Sequence, residues 1–324
     1  MELVESMLAG SERSLARLIT LVEREAPEVP EIMSQIYPRL GNAYFVGFTG
    51  PPGGGKSTLV DRLTAVMRAR GFSVGVVACD PSSPFSGGAV LGDRIRMQQH
   101  YLDKGVFIRS MATRESRGGL SRAAHGVLKL MDAFGKDFVL VETVGVGQTE
   151  LDIMDAVDTT VVVLVPEAGD TIQTMKAGLL EIADIFVVNK ADREGADYLV
   201  MELKQMLQMN PKQSWWQVPA LATQATNDIG IEELYLEIER HREALQGAGR
   251  LSLHRQEQRR REFIQTIEQR LMARLLDLAK RDGRLMASLE RVERGESDPY
   301  SASMQILTNK TILQSWLAEL EMEG

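Results

Sequence analysis

Gly50-Pro-Pro-Gly-Gly-Gly-Lys56-Ser57 stands between two segments of opposite character. Before it runs Tyr44-Phe-Val-Gly-Phe-Thr49, short and apolar, which reads as a buried strand. After it, Thr58 to Met67 carries Leu59, Leu63, Val66 and Met67 at helical spacing. Strand, glycine-rich turn and helix in that order are the setting that gives the pattern G-x-x-x-x-G-K-[ST] its meaning. Gly50, Gly53, Gly54 and Gly55 allow backbone N–H groups to turn inward around phosphate oxygens. The helix N-terminus adds its partial positive charge. Lys56 is then expected to reach the β- and γ-phosphates of a nucleotide and Ser57 to offer its hydroxyl to Mg²⁺. Thr58 is counted with the nucleotide-binding residues of this turn.

The rest of the chain fits the parallel sheet that such a loop requires. Short, mostly β-branched strand candidates fall at 44–49, 74–79, 106–109, 138–142, 159–165, 185–188 and 218–222, with helical stretches between them. That alternation predicts an α/β fold with a doubly wound, mostly parallel sheet of the P-loop NTPase type. Residues 1–40 read as a helical N-terminal extension, with an amphipathic face at Leu15, Leu18, Ile19 and Val22. The P-loop domain is expected over 41–247. Gly247-Ala-Gly249 reads as a hinge, and 248–324 as a helical C-terminal arm, with Pro299 as a breaker.

A second motif selects the base. Asn189-Lys190-Ala191-Asp192 follows directly on the apolar run Asp184-Ile-Phe-Val-Val188. An acidic side chain with two oxygens can accept from guanine N1–H and the exocyclic amine together, and adenine offers no matching pair of donors. Asp192 is the expected reader, Asn189 the brace of the loop, and the Lys190 stem lies along the base. Together the two loops predict GTP and GDP as the bound nucleotides.

Three acids are candidates for Mg²⁺ and the switch. Asp80 ends the second strand candidate. Asp93 lies thirteen residues further on, in Ser86-Gly-Gly-Ala-Val-Leu-Gly-Asp-Arg94. Glu142 ends the strand candidate at 138–142. A nucleotide-bound Mg²⁺ takes one or two carboxylates beside phosphate oxygens, a P-loop hydroxyl and water. Gly145 is placed to give a backbone N–H to the γ-phosphate, and loss of that phosphate would release its segment. Gln148 is near enough in sequence to be weighed as a water-positioning group, against a solvated helix start.

Composition narrows the classes further. The 324 residues carry a net charge of −8, which gives no support to a nucleic-acid surface. One cysteine, Cys79, excludes an intramolecular disulfide framework, fits a cytoplasmic location and reads as a small core residue. No apolar run approaches a membrane span, and the acidic start Met1-Glu-Leu-Val-Glu lacks the features of a signal peptide. The histidines at 100, 125, 241 and 254 are scattered and suggest no transition-metal site.

Taken together, Gly50-Pro-Pro-Gly-Gly-Gly-Lys-Ser, Asp80-Pro-Ser-Ser-Pro, Gly87-Gly-Ala-Val-Leu-Gly-Asp-Arg, Val141-Glu-Thr-Val-Gly-Val-Gly-Gln148 and Asn189-Lys-Ala-Asp192 resemble the MeaB/ArgK family of P-loop GTPases. Glu-Thr-Val-Gly-Val-Gly-Gln is the most specific piece, because ordinary GTPases carry Asp-x-x-Gly there. The resemblance covers nearly the whole chain. It implies a GTPase that serves an adenosylcobalamin-dependent acyl-CoA mutase of the methylmalonyl-CoA mutase type. GTP hydrolysis would gate cobalamin loading and protect the enzyme. It implies Lys56 and Ser57 on phosphate and Mg²⁺, Asp80, Asp93 and Glu142 as the magnesium and switch constellation, and Asn189 and Asp192 on guanine. It also implies a third switch at Pro166–Lys176, with Asp170 and Lys176 as coupling candidates, and a homodimer formed through the arm. One departure is Thr223-Gln224-Ala225, where the family usually shows Ser-Ala. That loop mainly supplies a backbone N–H to guanine O6, so Gln224 and Ala225 remain nucleotide-binding candidates.

The arm carries Ile264, Ile267, Leu271, Leu275 and Leu278 at helical spacing, an apolar stripe suited to folding back or to pairing across a dimer. The basic run at 255–261 reads as a solvated helix face, and Trp215-Trp216 as partner contacts or cover for the core edge. Two rival functions remain in view, a metal-insertion GTPase and a kinase linked to basic amino-acid transport. The first lacks a Cys-x-Cys or histidine-rich site here, and the second sits poorly with a guanine reader. A GTP-gated scaffold that hardly hydrolyses its nucleotide is a third.

Overall fold

A computed structural model describes residues 2–81, 97–113, 119–143, 155–166, 181–209, 215–247, 249–281, 283–310 and 314. These divide into two compact units, Met1–Arg259 and Arg260–Gly324.

The first unit is built on seven parallel strands: β1 (Tyr44–Thr49), β2 (Val74–Pro81), β3 (Val106–Thr113), β4 (Phe138–Thr143), β5 (Thr159–Leu164), β6 (Ile185–Val188) and β7 (Ala220–Ala222). Their order is β3-β2-β4-β1-β5-β6-β7, and every pairing is parallel. The chain therefore winds to one side of β1 through β4 and then to the other from β5 onward. The carboxyl ends of β1, β4, β5 and β6 meet around this reversal, where open parallel sheets bind ligands.

All seven strands expected from the sequence are present. β2 and β3 each run further than expected because they pair as far as Pro81 with Thr113. β7 starts later, at Ala220. Pro219 before it has no N–H for a ladder, although its carbonyl accepts from Phe186 N at 2.9 Å.

Both faces of the sheet are covered, which is why its strands read as apolar runs and not as alternating ones. On one face Val46, Phe48 and Val76 pack with Leu59, Leu63 and Met67 of α4 (Lys56–Ala69) and with Leu234 and Ile238 of Ile231–Gly247. On the other, Val77, Cys79, Val139 and Val141 pack with α5 (Gly119–Ala133). Cys79 is buried there, as a core residue. The third cluster joins Val162, Leu164, Phe186 and Val188 to Leu199 and Leu203 of α6 (Ala196–Met209).

Three N-terminal helices, α1 (Glu2–Leu8), α2 (Glu12–Glu23) and α3 (Val29–Ile36), add a further layer over α5. The face expected at Leu15, Leu18, Ile19 and Val22 is buried. Ser11 caps α2, its side chain accepting from Ser14 N at 3.3 Å. The fit is close at Gly126, where a Cβ would lie 2.6 Å from Val22 Cγ1. This explains a glycine in the middle of a helix that otherwise favours larger residues.

α7 (Ile231–Gly247) and α8 (Arg250–Arg281) flank the expected hinge, and Gly249 has the left-handed φ of +64°. The first turns of α8 belong to the first unit. Arg255 pairs with the fully buried Asp158 at 2.7 Å and donates to the Ala43 carbonyl at 2.7 Å. Its guanidinium is thus paired, where the sequence suggested a solvated face. The tryptophans cover the core edge: Trp216 is buried and donates to the Asp184 carbonyl at 2.8 Å. In the second unit α9 (Gly283–Glu293) and α10 (Pro299–Thr308) follow. Pro299 opens α10 rather than merely separating helices. Asp298 caps it by accepting from Ser301 N at 2.8 Å, and proline suits a first turn that needs no N–H partner. Among the described residues no helix is long and apolar enough to cross a membrane.

Candidate functional site

The glycine-rich loop leaves β1 at Gly50 and enters α4 at Lys56. Three of its glycines have positive φ: +141° at Gly50, +74° at Gly53 and +84° at Gly55. Gly50 and Gly55 are also sterically obligatory. A Cβ at Gly50 would collide with the Val163 carbonyl of β5, and one at Gly55 with the Asn189 side-chain amide. The loop is therefore wedged between β5 and the β6 turn, and its curvature is imposed from outside as well as by sequence.

Lys56 is buried, and its ammonium donates to the carbonyls of Gly50 at 2.8 Å and Pro51 at 2.9 Å. The charge is thereby held across the mouth of the loop. Ser57 and Thr58 follow in the first turn of α4. Ser57 Oγ donates to Glu142 Oε1 at 2.6 Å, and both residues are buried. Glu142 pairs in register with Phe48 on β1, one residue short of the strand end at Thr143. A hydroxyl and a carboxylate are thus brought together beside the phosphate loop. An all-oxygen set of this kind suits a hard cation such as Mg²⁺, with phosphate and water completing the shell. No cluster of three or more acidic, histidine or cysteine side chains that could hold a metal unaided occurs among the described residues.

Asn189 is the hub of the second loop. Its backbone N–H donates to the Leu164 carbonyl at 2.8 Å, which extends the sheet by one rung. Its side-chain amide donates to the Gly54 carbonyl at 2.9 Å, and its Oδ1 accepts from Thr223 Oγ1 at 3.1 Å and Ala225 N at 3.2 Å. One buried side chain therefore ties three loops together: the glycine-rich loop, its own turn and the turn after β7. Lys190 has φ +58°, and Asp192 is exposed at the rim. Ala191 N donates to the Thr223 carbonyl at 2.9 Å, which fixes the Lys190–Asp192 turn against the β7 loop. Gln224 N is taken by the Ile229 carbonyl at 2.9 Å, so Ala225 carries the less tightly held N–H of the pair.

The structure thus brings together Gly50, Gly53, Gly54, Gly55, Lys56, Ser57, Glu142, Asn189, Gln224 and Ala225 at one end of the sheet. Asp80 lies near the carboxyl end of β2, paired with Ala112, and its side chain is outside the description. Asp93, Gly145, Gln148, Asp170 and Lys176 lie outside the described residues. Thr223 was named only as part of the loop Thr223-Gln224-Ala225 and was given no role of its own. Its hydroxyl matters through Asn189, and a lone threonine in a loop carries no signal of that contact.

A parallel sheet with a phosphate loop after β1 and an N-K-x-D turn after β6 defines a P-loop GTPase. The profile described as "Methylmalonyl Co-A mutase-associated GTPase MeaB" matches residues 15–280, and the chain belongs to this family. A putative GTPase of Pyrococcus abyssi is 51% identical over 94% of this chain and 95% of its own. The mouse methylmalonic aciduria type A homolog, mitochondrial, is 32% identical over 79% of this chain and 66% of its own. Among solved structures, a LAO/AO transport system kinase is similar with a TM-score of 0.71 at 28% identity, covering 94% of this chain and 95% of that one. The protein is a GTPase.

Proposed function

We propose that this GTPase serves an adenosylcobalamin-dependent acyl-CoA mutase of the methylmalonyl-CoA mutase type, gating cobalamin loading and protecting the loaded enzyme. The observation that carries the mechanism is the Ser57–Glu142 hydrogen bond at 2.6 Å. It joins the first turn of the phosphate helix to the strand that leads into Thr143-Val-Gly145, so a change at the γ-phosphate has a short route into that segment. Membership of a mutase-associated family and the relation to the methylmalonic aciduria type A homolog support the choice of partner.

In this reading Lys56 neutralises charge on the β- and γ-phosphates. Ser57 and Glu142, with Asp80 and Asp93, would hold Mg²⁺ directly or through water. Bound there, the metal would offset charge that develops on the phosphates. Gly145 offers its N–H to the γ-phosphate. Asp192 reads the guanine edge, the Lys190 stem lies along the base, and the Gln224–Ala225 loop supplies a backbone N–H to guanine O6. Hydrolysis then depends on positioning and charge, not on a covalent intermediate. Turnover is slow in isolation and accelerated by the partner.

We further assign a cytoplasmic homodimer with domains 1–40, 41–247 and 248–324, the last being the dimerisation arm. Phe263, Ile264, Ile267 and Leu271 of α8 are exposed along the arm, an apolar row suited to a second copy. Light scattering that gives a monomer at micromolar concentration would remove this assignment. The kinase reading is supported by the name of the similar solved structure. It requires transfer of the γ-phosphate to a protein acceptor and is less compatible with a guanine reader.

The partner is tested by size-exclusion chromatography of the purified protein with a purified adenosylcobalamin-dependent acyl-CoA mutase. The protein is loaded either with GDP or with a non-hydrolysable GTP analogue. A complex whose stability depends on the nucleotide is expected, and failure to associate with either nucleotide contradicts the proposal.

A further inference from the structure

Asp61 lies one turn beyond Ser57 on α4 and meets groups from two other elements. Gln99 Nε2 donates to Asp61 Oδ2 at 2.7 Å. His100 Nε2 donates to the Asp61 carbonyl at 3.1 Å and lies 3.4 Å from Asp61 Oδ1. That Oδ1 is buried and has no hydrogen-bond partner among the described residues. Arg62, the next residue of α4, places Nε 3.8 Å from Asp61 Oδ2 and 3.5 Å from Asp228 Oδ1. Asp228 ends the 3₁₀ turn Ala225–Asn227 with φ +57°. A line of charge therefore runs from the turn behind Gln224 and Ala225, across the phosphate helix, to the turn at Gln98–His100.

The charged groups facing His100 are Asp61 from α4 and Asp103 from its own turn; Arg62 and, beyond it, Asp228 are reached through Asp61. Asp103 is already engaged by Arg68, with bonds of 2.8 and 2.9 Å. Two carboxylates, Asp61 and Asp228, thus share one guanidinium. With a neutral imidazole the line holds one excess negative charge. With an imidazolium it is balanced. A buried carboxylate left without compensation is costly, so the two protonation states differ in how firmly they join these elements.

We propose that His100 is a positioning residue for the bound nucleotide. Its imidazolium completes the Asp61–Arg62–Asp228 line and holds the phosphate helix and the base-side turn in register, so nucleotide retention depends on pH. The inference rests on reading α4 as the phosphate helix and Thr223–Ala225 as the base loop. The adjacent Asp61 carboxylate raises the His100 pKa above its ordinary value, and burial opposes that rise. By linkage, a raised folded-state pKa means that the contribution is complete below the unfolded value. It is lost as pH rises through the higher folded value.

The test is the release rate of a fluorescent GDP analogue from the full-length protein between about pH 5.5 and about pH 9. In the unmutated protein release is slow at the acid end and accelerates severalfold through a midpoint above about 6.5. His100→Gln retains a donor for the Asp61 carbonyl and loses the charge, so release is fast and level across the range. Asp61→Asn, if His100→Gln fails to fold, levels the same profile. A merely structural role predicts faster release with the pH step intact. That step surviving in a folded variant, or no step in the unmutated protein, overturns the proposal. Failure of the underlying site reading shows separately, as Lys56→Ala retaining full GDP affinity.

Discussion

Asn189 donates its side-chain amide to the Gly54 carbonyl at 2.9 Å, so the loop assigned to the base is bonded directly to the loop assigned to the phosphates. The same side chain accepts from Thr223 Oγ1 and Ala225 N. Asn189→Ala removes all three bonds from a buried position. Unsatisfied buried polar groups cost about 1–3 kcal/mol each, and part of that loss recovers if water enters. We expect a lowered melting temperature and about tenfold weaker GDP binding, equivalent to about 1.4 kcal/mol. Thermal unfolding and a fluorescent-nucleotide titration measure both. Unchanged affinity contradicts the bracing role.

Two loop glycines separate backbone conformation from steric fit. Gly53 has φ +74° with open space where a Cβ would go, whereas a Cβ at Gly55 would meet the Asn189 amide. Gly53→Ala should lose only the cost of a left-handed alanine, about 1–2 kcal/mol, and keep much of its GTP affinity. Gly55→Ala should displace Asn189 and lose tight binding. Equal affinities for the two variants contradict this account of the loop.

How much of this was legible beforehand depended on the range of the contact. The phosphate loop and the N-K-x-D turn are local patterns, and β1 and β6 were found where the apolar runs Tyr44–Thr49 and Ile185–Val188 stand. β-Branched runs buried on both faces need no alternation to be recognised, so the other strands were also placed. Pairing across the sheet was not legible. Ser57 and Glu142, 85 residues apart, were both expected at Mg²⁺, but their direct hydrogen bond depends on the β1–β4 register, which no local pattern records. The Arg255–Asp158 pair was hidden for the same reason, since Arg255 sits in a run that looks like a solvated helix face. The His100–Asp61 contact was equally silent, because a scattered histidine carries no pattern of its own.

Glu142→Gln keeps the shape at the Ser57 hydroxyl and removes the charge. If the Ser57–Glu142 pair supports Mg²⁺, the magnesium concentration needed for half-maximal GTPase activity rises about 10- to 100-fold, the usual range for outer-shell partners. A magnesium titration of turnover is the check. An unaltered magnesium requirement removes Glu142 from the metal assignment.

Asp192 is exposed at the rim of the site, so its substitution perturbs recognition with little effect on folding. Asp192→Asn replaces two acceptors by an acceptor and a donor, which suits xanthine better than guanine. Competition between GTP and xanthosine triphosphate for the variant should favour the latter. Preserved preference for GTP contradicts the guanine assignment.

The most direct measurement is GTP turnover by the purified protein with and without a purified adenosylcobalamin-dependent acyl-CoA mutase, with ATP as the control nucleotide. The account predicts slow GTP hydrolysis, severalfold acceleration by the mutase, and no turnover of ATP. GTP hydrolysis that no such mutase alters would contradict the proposed partnership.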